Sequence, residues 1–175
     1  AIRPETSDDR PAIRRLLTEA FGGSEEADLV DALRRDGDLL ASLVAIERGA
    51  HATGRIVGHA AASPLHPDDG GDPVSAAALA PVAVAPRCQG RGIGSALVTA
   101  LLAALDARSV DFVVVLGDPA WYRRFGFGPA ARTGLRTPFD GPALSVRARE
   151  PALLPRLADR RLGYARAFDP FLPPA

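Results

Sequence analysis

The apolar positions change period along the chain, and the changes mark the elements. After Ile2, Arg3 and Pro4, the run Ser7-Asp8-Asp9 offers a short side-chain acceptor and carboxylates suited to a helix N-terminus. Ile13, Leu16, Leu17, Ala20 and Phe21 then recur at three- and four-residue spacing, the core-facing stripe of an amphipathic helix that Gly22-Gly23 ends. A second helix is predicted from about Glu25 to Arg35, with Leu29, Val30 and Leu33 on one side and the turn Asp36-Gly37-Asp38 closing it. Leu39 to Ile46 and Arg55 to Ala62 are short and apolar and read as two antiparallel strands of a meander joined by Glu47 to Gly54. Pro64 to Pro73 reads as a polar loop, and Val74 to Ala85, nearly all small and aliphatic, as a strand buried on both faces that stops at Pro86.

From Gly92 to Arg108 the residues Ile93, Leu97, Leu101 and Leu105 recur every fourth position, with Ala100 and Ala104 on the same face, so a helix begins inside a glycine turn. Val110 to Leu116 is a further buried strand. Gly117-Asp118-Pro119 opens a short aromatic helix, Ala120 to Phe125, and Gly126 turns the chain into strands near Phe127 to Leu135 and Leu144 to Arg147. A short helix around Pro151 to Leu157, a last strand at Leu162 to Phe168 and a fraying end from Pro170 to Ala175 complete the expectation. There is no internal repeat. The order predicts an α+β or mixed α/β fold with a parallel, right-handed strand-helix-strand unit at its centre.

Composition narrows the partners. The 175 residues fit one domain, 1–175, with no linker composition inside it, and 21 basic residues balance 21 acidic ones. That balance disfavours a nucleic-acid footprint or a polybasic membrane patch and points to a small-molecule partner. A single cysteine, Cys88, allows no intrachain disulfide, no charged-then-apolar leader precedes Ala1, and no apolar run approaches the roughly 18 to 20 residues of a membrane span. A soluble, cytoplasmic protein is expected. His51, His59 and His66 lack metal-site spacing, so no metal is expected. Every basic side chain is arginine; with no lysine present, self-acetylation has no lysine to modify.

The candidate chemistry sits at Gln89-Gly90-Arg91-Gly92-Ile93-Gly94. A buried strand, a glycine turn and a helix form a phosphate site because the first helical N–H groups lack intrahelical partners and point outward with the positive end of the dipole. Arg87 and Arg91 add charge at the rim. The same turn could merely join a strand to a helix. A nucleoside-triphosphate loop needs Gly-Lys, which a lysine-free chain lacks, and a dinucleotide fingerprint needs glycine where Leu97 stands.

In fuller context, Val82-Ala83-Val84-Ala85-Pro86-Arg87-Cys88-Gln89-Gly90-Arg91-Gly92-Ile93-Gly94-Ser95-Ala96-Leu97 resembles the signature of the GNAT acetyltransferase superfamily, whose turn reads Gln/Arg-x-x-Gly-x-Gly/Ala. Trp121-Tyr122-Arg123-Arg124-Phe125-Gly126-Phe127 resembles the aromatic segment that follows the fifth strand of that fold, and the wider string from Leu116 resembles its bacterial YhbS-like branch. The matched motifs span about residues 77 to 128. The resemblance implies a splayed, mostly antiparallel sheet with parallel fourth and fifth strands and flanking helices. It also implies acetyl-CoA as acetyl donor. Its pyrophosphate would lie on Gln89, Gly90, Arg91, Gly92, Ile93, Gly94 and Ser95, and its pantetheine on the backbone of Val82, Ala83 and Val84.

Transfer needs a neutral amine, attack on the thioester carbonyl and a proton for the departing thiolate. A lysine-like amine has a pKa of about 10, so about one molecule in a thousand is neutral at pH 7 unless the site takes the proton. By the resemblance Tyr122 is the acid that protonates the sulfur; packing alone would also explain an aromatic helix residue. Asp118 is the candidate base, or a cap for the helix beginning at Pro119. His59 is the alternative base, or a satisfied strand histidine. Cys88 occupies a variable position of the turn with no histidine near it in sequence, which disfavours a covalent acetyl-enzyme. Glu25, Glu26 and Asp28 can attract a cationic amine or form a solvated helix start. The acceptor is a small-molecule amine or a protein N-terminus, and the family habit adds a homodimer through the C-terminal strands. Two readings of other classes stand beside the enzyme: a non-catalytic acetyl-CoA sensor or structural protein, and a dinucleotide oxidoreductase.

Overall fold

Strands and helices follow one another in nearly the expected order in the structure, a computed structural model that describes residues 1–49 and 54–174. The middle of the Glu47 to Gly54 connection, including His51, therefore lies outside the described residues. Two compact units are resolved. One comprises Ala1–Ala62 with Pro81–Ala104, and the other Ser63–Ala80 with Leu105–Ala175.

In the first unit, β1 (Ile2–Pro4) pairs antiparallel with β2 (Ala41–Glu47), which pairs antiparallel with the Arg55–Ala62 part of β3 (Arg55–Pro67); β4 (Ala76–Val84) is the neighbour of β3 in the sheet, and Ser63–Pro67 and Ala76–Ala80 of these two strands belong to the second unit. β1 is invisible in the sequence, since three residues carry no period. Its ends are tied to β2 by the Ala1 amino group on the Ile46 carbonyl at 2.8 Å and the Glu5 N–H on the Ser42 carbonyl at 3.0 Å. α1 (Arg10–Phe21) and α2 (Glu25–Asp36) each end on a glycine in the left-handed region, Gly22 at φ +78° and Gly37 at φ +76°. A 3-10 turn, Ser7–Asp9, leads into α1, and the cap is one residue earlier than expected: the Asp9 carboxylate accepts from the Thr6 N–H at 2.7 Å. The Arg3 guanidinium on both Asp9 oxygens, at 2.6 and 2.9 Å, holds that carboxyl below its usual range against the opposing effect of burial.

Ile13, Leu17, Ala27, Val30, Val44 and Ala83 form the core of this unit. Phe21, expected in the stripe, is 44% exposed because it is the last residue of α1. α3 (Ile93–Ala107) approaches β3 at Gly58, where an added Cβ would stand 2.8 Å from Leu97 Cδ1 and 3.1 Å from Ile93 Cγ2.

A polar cluster is buried here as well. The Ser42 hydroxyl lies 2.9 Å from His59 Nε2 and donates to Glu5, while Arg34 holds Glu5 with Nε at 2.8 Å. Burial pushes the Glu5 carboxyl up, but His59, Arg34 and Ser42 together outweigh it and bring it to about 2. Burial depresses the pKa of His59, which stays neutral; coulombic repulsion from Arg34 adds to this and Glu5 opposes it.

In the second unit β5 (Phe112–Leu116) pairs parallel with β4 and antiparallel with β7 (Leu144–Ala148), which carries β6 (Gly128–Pro129) at its far edge. The parallel ladder joins Ala76, Ala77 and Ala78 to Phe112, Val113 and Val114; beyond it, among the described residues, Val115 and Leu116 pair only with β7. α4 (Pro119–Tyr122) continues into a 3-10 turn, Arg123–Phe125. The core gathers Leu65, Phe112, Val114, Leu135, Leu144, Val146, Leu157 and Leu162.

Three expectations for this unit are corrected. Pro64 to Pro67 belong to β3, not to a loop, because Leu65 is in the core and β8 (Leu162–Tyr164) pairs with Leu65, His66 and Pro67. The loop begins at Asp68, where Asp68 and Asp69 take Arg161 at 2.7 Å and Arg160 at 2.9 Å. The strand expected from Phe127 to Leu135 stops at Pro129, which has no N–H for a ladder, and gives way to a 3-10 turn, Ala130–Thr133, ended by Gly134 at φ +81°. The last strand stops at Tyr164, opposite Leu65 of β3. A 3-10 turn, Arg166–Phe171, follows, and the ring contacts Phe139–Tyr164–Phe168–Phe171, with centroids 4.9, 5.1 and 6.4 Å apart, hold it beyond Pro170.

The buried cluster sets an acid limit. Both shifts are downward, so the unfolded chain binds more protons: stability is lost below about 6.5 as unfolded His59 protonates, and further as pH falls from about 4.5 towards 2 through Glu5. Thermal melts between pH 8 and pH 3 are expected to show both falls. His59→Gln should remove the upper one and Glu5→Gln reduce the lower, to which Asp9 also contributes; a Tm independent of pH from 8 to 4 would contradict the cluster.

Candidate functional site

The residues singled out by sequence fall in two places, Val82 to Ser95 in the first unit and Asp118 and Tyr122 in the second. Along β4, burial alternates after Leu79: Pro81 and Ala83 are buried, whereas Ala80, Val82 and Val84 are partly open. The strand expected to be buried on both faces thus opens along alternate residues of its second half. Its end is fixed by the Ala85 N–H on the Val57 carbonyl at 2.8 Å. A 3-10 turn, Pro86–Cys88, follows, anchored by the Cys88 side chain at 1% exposure. Gln89 then reaches back, its Nε2 donating to the Val84 carbonyl at 3.2 Å.

Gly90 and Gly92 adopt φ +72° and +78°, and a Cβ built on either meets nothing within 4 Å. Glycine is needed here for conformation and not for packing, and the space over the turn is open. The first backbone bond of α3 runs from the Ala96 N–H to the Gly92 carbonyl at 3.0 Å, so the N–H groups of Ile93, Gly94 and Ser95 precede the helical ladder. Arg91 pairs with Glu47 at 3.0 Å and Arg87 with Glu19 at 3.5 Å. Exposed pairs of this kind contribute no more than about 1 kcal/mol, so both guanidinium groups can exchange partners for an anion.

In the second unit Asp118 takes an extended conformation and its Oδ1 accepts from the Ala120 N–H at 2.9 Å, with Pro119 at the first helical position. The geometry is an N-cap, and it places Tyr122 one turn on. The Tyr122 ring meets Trp121 edge-on at 4.7 Å, Phe127 edge-on at 5.7 Å and Phe125 at 6.3 Å. Burial pushes its phenol above the ordinary value, so the hydroxyl keeps its proton through neutral pH. Gly117 lies against the same ring, a close approach that sequence reasoning missed because Gly-Asp-Pro reads as a helix start.

His59 sits in the buried cluster and not at a surface; its Nε2 faces Ser42, and among the described residues its Nδ1 has no partner. Of the acidic group at the start of α2, Glu25 is exposed and Asp28 is held by Arg14 at 2.6 Å. No helix among the described residues is long and apolar enough to cross a membrane, and no three His, Cys, Asp or Glu among them are placed to hold a metal ion.

Residues 1–130 match the model of the acetyltransferase (GNAT) domain. The chain belongs to the GNAT acetyltransferase family. It is 39% identical over 140 residues to the Escherichia coli (strain K12) protein named uncharacterized N-acetyltransferase YhbS, covering 80% of each chain. The crystal structure of E. coli YhbS in complex with CoA superposes with a TM-score of 0.87 at 34% identity, covering 97% of this chain and 91% of that one. A GNAT family acetyltransferase from Brucella melitensis in complex with acetyl-CoA gives 0.77 at 33% identity and 97% of both chains. The GNAT chain is thus an N-acetyltransferase with the mixed sheet of its family, parallel between β4 and β5.

The left-handed glycines yield a stability test. Gly90→Ala and Gly92→Ala should each cost about 1–2 kcal/mol, seen as a lower urea midpoint at unchanged m-value, because the added methyl meets no atoms and only the backbone is strained. Substitutions without cost would mean that the turn takes other angles.

Proposed function

We propose that the chain is an acetyl-CoA-dependent N-acetyltransferase in which the turn from Gln89 to Ser95 binds the pyrophosphate and Tyr122 protonates the departing CoA thiolate. The observation that carries this reading is the open glycine turn at the head of α3, with three N–H groups outside the helical ladder and two exchangeable arginines beside it. It is supported by the CoA and acetyl-CoA held by the two similar structures. Pantetheine runs along the backbone of Val82, Ala83 and Val84, where every second side chain is partly open and none is larger than valine.

The amine nitrogen attacks the thioester carbonyl carbon, the C–S bond breaks, and the sulfur leaves with the electron pair. Tyr122 supplies its phenolic proton to that sulfur and is re-protonated from solvent. The attacking nitrogen gives up a proton to a base or to water. Asp118 is the candidate base: Oδ1 holds the cap, and among the described residues Oδ2 accepts no hydrogen bond. The acceptor is a small-molecule amine or a protein N-terminus, and the enzyme works in the cytoplasm as a single domain, with a homodimer through the C-terminal strands in keeping with the family.

Acetyl-CoA at a hundred times its Kd should add about 2.7 kcal/mol of stability, where NAD and ATP add none. No shift with acetyl-CoA would remove the reading, and a shift without thiol release to any amine would leave a sensor. Tyr122→Phe should lower kcat at least tenfold at nearly unchanged acetyl-CoA affinity. It should also abolish the alkaline fall in kcat, which lies above about pH 10 in the wild type because the raised phenol must stay protonated to act. Unchanged kcat would end its role as acid.

Asp118→Asn keeps a cap acceptor but not a base, whereas Asp118→Ala removes both. With the cap as its main work, Asn should retain kcat within about threefold and Ala should lose about 1 kcal/mol of stability. A kcat loss beyond tenfold in Asp118→Asn at unchanged Tm would instead make Asp118 the base.

A further inference from the structure

At the end of β5 the backbone passes directly against the Tyr122 ring. A Cβ added to Gly117 would stand 2.5 Å from Tyr122 Cε2, 3.2 Å from Cδ2 and 3.5 Å from Cζ. Gly117 does not lie in the left-handed region, so no positive φ calls for glycine there. What calls for glycine at 117 is the volume the ring takes.

Neither side can give way cheaply. The Gly117 N–H donates to the Ala143 carbonyl at 3.1 Å, and the next residue is committed to capping α4. The half-buried ring packs against Trp121, Phe125 and Phe127, and the N–H groups of Trp121 and Tyr122 both close on the Asp118 carbonyl at 3.1 Å. A methyl group at 117 must therefore turn the ring. Rotation about Cβ–Cγ would leave the hydroxyl on its axis, and the contacts with Trp121, Phe125 and Phe127 oppose it; a swing about Cα–Cβ carries the hydroxyl, which lies farther from the backbone than Cε2, by at least as much as Cε2.

We infer that Gly117 is a positioning residue for the proton donor: its missing side chain is the slot in which the Tyr122 ring lies and from which the hydroxyl is aimed. The inference rests on the assignment of Tyr122 as the acid. A displacement of about 1 Å in a reacting group can cost a hundredfold in rate, so kcat is expected to feel Gly117 through Tyr122 alone.

The test is a double-mutant cycle of Gly117→Ala and Tyr122→Phe in the full chain, read by kcat, acetyl-CoA affinity and the fluorescence of Trp121, the one tryptophan, which touches the ring. Gly117→Ala is expected to lower kcat by roughly 10- to 100-fold at nearly unchanged acetyl-CoA affinity, and to shift the Trp121 emission. In the Tyr122→Phe background it should lower kcat no more than about threefold further, because the hydroxyl it misaims is gone. An equal loss in both backgrounds overturns the inference, as does a wild-type kcat in Gly117→Ala, whatever the emission. If Tyr122→Phe alone keeps full activity, the acid assignment has failed, and the emission shift still decides whether the slot exists.

Stability supplies an independent arm should Gly117→Ala fold poorly. Within the Tyr122→Ala background, where the slot is empty, Gly117→Ala should lower Tm no further than Tyr122→Ala alone does. A loss that persists without the ring overturns the inference.

Discussion

The backbone angles of two residues carry the site in the first unit. Gly90 and Gly92 are left-handed in an open turn, and a helix begins directly after them with its first N–H groups outside the ladder. What precedes and follows is fixed by other means: Ala85 is hydrogen-bonded to β3, Cys88 is buried, and α3 lies on β3 at Gly58, where no larger residue fits. The turn is thus rigid at its feet and open above. Preorganised N–H groups of this sort favour an anion without reorganisation, because their alignment is already set by folding.

The second unit solves a different problem, holding one phenol in place with, among the described residues, no hydrogen bond to its hydroxyl. Tyr122 is restrained by aromatic edges, by a cap that starts α4 at Asp118, and by the absence of a side chain at Gly117. Burial here has a chemical result as well as a packing one. Removing water from around the ring disfavours the phenolate, which keeps the group in its donating form.

Charge is handled by pairing. The basic residues are all arginine, and their forks meet carboxylates two oxygens at a time, as in Arg3 with Asp9 and Arg147 with Asp106 at 2.9 and 2.8 Å. In each unit such pairs fasten a segment with little apolar content of its own: the N-terminal strand through Arg3 and Glu5, and the Asp68–Asp72 loop through Arg160 and Arg161. Zero net charge therefore describes many paired groups, and the two arginines beside the glycine turn are among those with exposed, exchangeable partners.

By itself the sequence determined what depends on neighbours in the chain. The stripe of Ile13, Leu16 and Leu17, the aliphatic run of β4, the fourfold repeat from Ile93 to Leu105 and the spacing of Gln89, Gly92 and Gly94 are local patterns, and each formed its element within a few residues of expectation. What only the tertiary structure decided depended on partners far along the chain. β1 exists because β2 lies beside it, and β3 continues to Pro67 because β8 returns there from 95 residues or more away. The Phe127–Leu135 strand is cut short at a proline with no N–H to give. Gly117 read as helix punctuation, since a volume it must not fill cannot be seen until the Tyr122 ring is folded against it. Periodicity reports the face a residue buries; it carries no record of which distant atom will occupy the space beside it.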